Sequence, residues 1–229
     1  MKKRIKVNAL IIFIATLLVI LFPAIFCRVD IASPLNEATE MLGIMLILFG
    51  QVIRISARGH KSEHSKQGQV LIQDGPYALV RNPMYLGILL IGLGIVLIFF
   101  RWWVTAVFLL VFVIRYLLLI FKEEKKLLAV FSGEYEEYQQ KVPRILPSLK
   151  ALFYQDISEY LPLKWPWFKK EIGSALALLL VVLVAESWED VRAEGIRVYL
   201  REMWFIAAII LLLIFLISYL NNRTVNANS

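Results

Sequence analysis

The chain has 229 residues, 59% of them hydrophobic and 19% charged, with a mean hydropathy of +0.69 and a formal net charge of +7. So much apolar surface is more than a soluble domain buries, which excludes a soluble globular fold and points to a membrane protein. The basic surplus is read as membrane topology and contact with anionic headgroups, not as nucleic-acid binding; Cys27, the single cysteine, excludes an intramolecular disulfide or a thiolate metal cluster.

In chain order, apolar runs occupy 9–26, 38–55, 83–100 and 104–121. Each gives roughly 27 Å of helix, enough to cross a hydrocarbon core. Two weaker runs follow at 172–188 and 203–220, so the expected fold is all-α, a polytopic membrane bundle of about six spans with cytoplasmic cofactor-binding segments. The first run follows Met1-Lys2-Lys3-Arg4 but is longer than a signal-peptide core and lacks a small-residue cleavage site, so it reads as a retained helix. Segment 122–171 holds nine lysines and arginines, whereas loops 27–37 and 101–103 hold only Arg28 and Arg101. The positive-inside rule then puts both termini, 56–82 and 122–171 in the cytoplasm. Loop 186–202 argues mildly the other way with Arg192, Arg197 and Arg201, accompanied by five acids. The expected organisation is an N-terminal hairpin over 1–56, a core with two spans over 57–150, and a linker and hairpin over 151–229. The polar end, 221–229, reads as disordered.

Two cytoplasmic segments are too polar for lipid and too patterned for linkers. In 56–82, "QVLIQDGPY" reads as an extended piece ending in an Asp-Gly-Pro turn. In 122–147, Leu127, Phe131, Tyr135 and Tyr138 recur at helical spacing, predicting that the fourth span continues into an amphipathic helix along the membrane surface, ended by Val142-Pro143 and Leu146-Pro147. Between them, Arg81-Asn82-Pro83 has the form of a helix start, with asparagine as N-cap and proline at the first helical position. Such a start carries unpaired N–H groups and partial positive charge, and Arg81 adds a full charge, which suits a carboxylate or phosphate. The adjacent acids Glu123-Glu124 close the fourth span. Their bland reading is surface charge paired with Lys125 or Lys126; set beside the helix start, they suit a zwitterionic ligand.

Other features read as architecture or solvated surface. Gly43 with Gly50, and Gly87 with Gly94, repeat every seven residues and place a small face on each of two spans, which permits close packing. Trp102-Trp103 and "KWPWF" at 164–168 read as interfacial aromatics. His60 and His64 in "HKSEH" have the spacing of a metal pair, but with no other histidine and no nearby cysteine they read as a solvated loop, and no metal is expected. Arg115 lies within the fourth apolar run, where a charged residue is expensive and a candidate for function, here toward an anionic headgroup or substrate acid.

"GPYALVRNPMYLG" followed by "EEKKLLAVFSGEYEEYQQKVPRILP" resembles the isoprenylcysteine carboxyl methyltransferases and their relatives among the phospholipid methyltransferases. Their pattern is approximately Gly-x-Tyr-x-x-x-Arg-His-Pro-x-Tyr, then Glu-Glu-x-x-Leu, Phe-Gly-x-x-Tyr-x-x-Tyr and Val-Pro. The resemblance runs from about Gln69 to Pro147. It implies an integral-membrane methyltransferase using S-adenosylmethionine on a lipid-like or prenylated acceptor. It also implies cofactor contacts at Gln69, Val70, Leu71, Ile72, Tyr77, Asn82, Pro83, Met84, Tyr85 and Glu123; Arg81, Glu124 and Arg115 stand as substrate candidates on the charge arguments above. Three positions depart from the pattern: Asn82 replaces its histidine, Ser132-Gly133 displaces its glycine by one, and Leu119 stands where the family holds a carboxylate-binding arginine. Those departures keep open a phospholipid N-methyltransferase and a non-catalytic membrane scaffold. A sterol-reductase-like NADPH enzyme ranks lower. The acceptor atom and the oligomeric state are not legible.

Overall fold

The computed structural model describes residues 17–19, 21–28, 34–65, 68–147 and 160–194, with single positions 207 and 211. Six helices lie within them: α1 (Pro23–Phe26), α2 (Pro34–His64), α3 (Pro76–Leu79), α4 (Pro83–Phe99), α5 (Trp102–Lys141) and α6 (Trp165–Glu194). Helices α1 to α4 each open on proline, whose fixed φ suits the first helical turn and whose missing N–H costs nothing there. No strand forms among the described residues; one antiparallel bridge joins Cys27 to Phe100. The expected first span is described only from residue 17, and the sixth run and the polar end fall outside the described residues apart from positions 207 and 211.

Among the described residues, the structure does not confirm all six of the spans expected. By length and composition, α2 and α5 are long and apolar enough to cross a membrane, while α4 is apolar but has 17 residues. The outward face of α5 is apolar, with Leu110, Val111, Ile114 and Leu118 exposed. In water such a row would be a liability; against lipid it needs no cover. The fifth run lies inside α6.

Two compact units form, Met1–Gly173 and Ser174–Ser229. In the first, α2 and α4 pack antiparallel through the glycine faces read from the sequence. A Cβ on Gly50 would stand 2.7 Å from the Gly87 carbonyl oxygen, one on Gly87 would stand 2.7 Å from that of Gly50, and Gly43 and Gly94 face each other in the same way. At the other end of α4 the chain is tied by backbone, because Arg28 N–H donates to Phe99 O and Arg101 N–H to Phe26 O, both at 3.0 Å. In the second unit, Ser187 Oγ donates to the Leu183 carbonyl one turn back along α6.

Two helices run further than their apolar stretches. Helix α2 passes residue 55 and ends at His64, since nothing from Ser56 onward breaks it. "HKSEH" is therefore helical and not a loop, and His60 is buried. Helix α5 spans 40 residues, about twice a bilayer core. Beyond the apolar part it kinks at Ser132, whose φ is 30° and ψ −110°. The kink turns Tyr135 and Tyr138 inward onto Leu71, with Leu127, Phe131 and Val142 around them, the face predicted from their spacing.

Ser132 occupies the position where the resembling pattern has glycine. This backbone state suits glycine and strains a residue with a side chain. Ser132→Gly should raise stability by about 1 kcal/mol, read from thermal unfolding in detergent. Ser132→Gly with Gly133→Ser should keep most of the gain, because a Cβ on Gly133 meets nothing within 4 Å.

Candidate active site

Helix α3 and the start of α4 present the two halves of the first motif. Gly75, before α3, has φ 55°, and a Cβ there would press on the His60 ring at 3.0 to 3.2 Å. Only glycine satisfies both the angle and the space. The next turn is drawn inward: Tyr77 N–H donates to Asp74 O at 3.2 Å, and the Tyr138 hydroxyl donates to the Tyr77 carbonyl at 2.6 Å. The Tyr77 hydroxyl lies 3.5 Å from the Ala57 carbonyl. Burial, and then the nearby Glu123 charge, push its phenol well above the usual range, so it stays a neutral donor.

At α4 the chain does something other than ordinary capping. Asn82 occupies the N-cap position, yet its side chain makes no cap hydrogen bond. Its Nδ2 donates instead to the Arg144 carbonyl at 3.0 Å, and the Arg81 N–H donates to the Pro143 carbonyl at 2.8 Å. These two bonds fasten the start of α4 to the segment that leaves α5. Asparagine thus does local tethering here that has no titratable component.

The acidic pair at the inner part of α5 divides its work. Glu123 is exposed and accepts a hydrogen bond from the Tyr85 hydroxyl at 2.8 Å. Tyr85 in turn sets its ring edge against Tyr116, with centroids 5.2 Å apart. Glu124 is buried between two guanidinium groups, Arg81 at 3.0 Å and Arg144 at 3.0 Å. Arg144 donates from Nε and Nη2 and also lies 4.7 Å over the Phe121 ring. Two cations against one carboxylate leave a surplus positive charge. Arg81 Nε and Nη1 are buried without a hydrogen bond, the Nη1 contact with Glu124 being an ion pair of poor alignment.

The structure therefore brings Tyr77, Arg81, Asn82, Tyr85, Glu123 and Glu124 to one place. Pro83 is buried and Met84 half-buried at the same helix start. Of the preceding segment, Leu71 and Ile72 are buried while Gln69 and Val70 are exposed; the stretch is irregular and not a strand. Arg115 is half-buried on α5, about two turns before Glu123. Among the described residues, no group of three or more His, Cys, Asp and Glu side chains is placed to hold a metal ion. Sequence reasoning missed Arg144, read there only as one of the basic residues of its segment. Its sole local cue was the proline before it, which turns the chain back toward α4.

A family model for phospholipid methyltransferases matches residues 38–134. The matched segment covers less than half of the chain and is similar to the phospholipid methyltransferases. It contains both halves of the site, while Arg144 and α6 lie beyond it. A cobalt-zinc-cadmium resistance protein, CzcN, of Cupriavidus metallidurans is 29% identical over 72% of each chain. The protein-S-isoprenylcysteine O-methyltransferase of Schizosaccharomyces pombe is 34% identical over 48% of this chain and 49% of its own. Its Saccharomyces cerevisiae counterpart is 33% identical over 47% and 48%. The chain thus spans about half the length of the two yeast methyltransferases. No solved structure matches it significantly. With these relatives and its apolar helices, the chain is a membrane protein related to methyltransferases.

Proposed function

We propose that the chain is an integral-membrane enzyme that methylates a lipid-like or prenylated acceptor with S-adenosylmethionine. The observation that carries this reading is the Tyr85–Glu123 hydrogen bond of 2.8 Å, which joins the helix-start motif to the acidic motif. The residues present suit a zwitterionic, ring-bearing cofactor. Glu123 offers an exposed carboxylate, Tyr77 and Tyr85 offer ring faces and hydroxyls, and the Arg81–Glu124–Arg144 cluster carries the surplus positive charge. Gln69 to Ile72, Asn82, Pro83 and Met84 would complete the enclosure.

The bound cofactor would supply an already activated methyl group on a sulfonium. The protein's share is then positional: to hold an acceptor lone pair in line and to keep water out. A carboxylate acceptor needs no base, being ionised at neutral pH, whereas an amine would need one. Leu119, in place of the carboxylate-holding arginine that the resemblance implies, favours an acceptor other than a free prenylcysteine acid. A phospholipid amine is the second reading, and Arg115 would then face the headgroup phosphate. The six-span arrangement, with both termini and the site cytoplasmic, is part of this proposal. The nine basic residues of 122–171 support it.

Purified protein in detergent should bind S-adenosylmethionine. Glu123→Ala and Tyr85→Ala should each weaken binding by about ten- to a hundredfold, the effect of losing a hydrogen bond to a charged group. Titration calorimetry reads this, and unchanged affinity in both variants rejects the site.

A further inference from the structure

On the side of α3 away from Tyr138, a second set of contacts holds the Gly75–Tyr77 turn. His60, on α2, is 6% exposed, and its Nε2–H donates to Asp74 Oδ1 at 3.0 Å. Its ring fills the space that a Cβ on Gly75 would need. His64 stacks on it with centroids 4.1 Å apart, and the His64 Nδ1–H donates to the His60 carbonyl at 2.9 Å. From the first turn of α6, Trp167 meets the His60 ring edge-on at 6.2 Å. Trp167 is itself pinned: it is 2% exposed, it occupies the place of a Cβ on Gly59, and its Nε1–H donates to Glu63, which also pairs with Lys164 at 2.6 Å. His60 therefore stands as a fixed post between α6 and the turn.

Resting on the methyltransferase reading above, we propose that His60 is a positioning residue for this enzyme. By holding Asp74 and backing Gly75 it sets the turn that presents Tyr77, and so tunes affinity for S-adenosylmethionine. It does so without touching the cofactor. The burial of His60 and the absence of a Cβ at Gly75 leave the turn a single seat. The hydrogen bond from His60 is also the main influence holding the Asp74 carboxyl below the usual range, so the bond is made to an ionised acceptor. The residues that seat His60 from α6 lie outside the family-matched segment 38–134. The turn is thereby joined to a part of the chain that the family pattern does not describe.

His60→Phe keeps a ring against Gly75 and Trp167 but has no donor; His60→Gln keeps an amide N–H at similar reach. With His60→Phe, KM for S-adenosylmethionine should rise about tenfold while kcat changes less than about twofold. His60→Gln should restore most of the affinity. Asp74→Ala removes the same bond from the loop side, and the Asp74 side chain is 69% exposed, so this variant should fold even if His60→Phe does not. The two effects should be non-additive when combined. Amide exchange at Tyr77, Ala78 and Val80 should speed up in either variant with no cofactor present. Unchanged KM and unchanged exchange in Asp74→Ala would overturn the proposal, as would additive losses. If the wild-type chain binds no S-adenosylmethionine, the functional reading fails, and the exchange measurement alone still decides whether His60 holds the turn.

Discussion

Gly50→Val should drive α2 and α4 apart and cost about 3 kcal/mol or more, the upper range of overpacking penalties. A Cβ at Gly50 would meet the Gly87 carbonyl oxygen at 2.7 Å, Ile91 Cγ1 at 2.9 Å and the Ile91 nitrogen at 3.0 Å. Two of those three atoms are backbone inside a regular helix, so they cannot swing away as a side-chain end would. The only relief is to move a whole helix, which also opens the neighbouring Gly43–Gly94 contact. In a membrane, helix association rests on close packing and not on hydrophobic expulsion from water, so a lost contact is not replaced by another driving force. Gly87→Val should behave alike, its Cβ lying 2.7 Å from the Gly50 oxygen and 3.1 Å from Arg54 Cβ. Gly173→Ala is the control: nothing stands within 4 Å of its Cβ, and the helix should gain up to about 1 kcal/mol. Thermal unfolding in detergent reads all three. Equal midpoints for Gly50→Val and Gly173→Ala would show that α2 and α4 do not pack as described.

What could be read in advance follows from where information is local. The start of α4 was legible because Asn82-Pro83 is a short-range cue, and the packing faces of α2 and α4 because glycines at intervals of seven share a face whatever the partner. The inward face of α5 beyond residue 122 was legible from the spacing of Leu127, Phe131, Tyr135 and Tyr138. The number of spans was not, since an apolar run shows only that a helix of sufficient length exists. His60 was misplaced because its neighbours Lys61, Ser62 and Glu63 are polar and exposed, whereas the Gly75 turn and, about a hundred residues on, Trp167 pack against its ring. Arg144 was overlooked for a similar reason. Its pairing with Glu124 depends on the chain reversing at Pro143, and the sequence between them carries no periodic sign of that reversal. The Asn82 side chain had a predicted local partner, the helix amides, and took a distant one, the Arg144 carbonyl.

Glu124→Ala should destabilise the protein by about 3 to 5 kcal/mol, the cost of breaking a buried ion pair from one side. Its carboxylate is the counter-charge of two guanidinium groups, and the Arg81 side chain is only 9% exposed. Without Glu124, Arg81 would be left as a buried cation whose Nε and Nη1 already lack hydrogen bonds. The strap from Val142 to Pro147 would also lose the Arg144 pairing that helps hold it against the start of α4. Its neighbour supplies the contrast. Glu123 is exposed and bonded to one hydroxyl, so Glu123→Ala should change stability by no more than about 0.5 kcal/mol while weakening cofactor binding. One residue apart on the same helix, the two glutamates should separate the measurements cleanly: Glu123 reports on the ligand, Glu124 on the fold. Urea titration in mild detergent, followed by tryptophan fluorescence, distinguishes them. A stable Glu124→Ala protein with intact cofactor affinity would mean that the two arginines are not held by this carboxylate, and only the Tyr85–Glu123 bond would then join the two motifs.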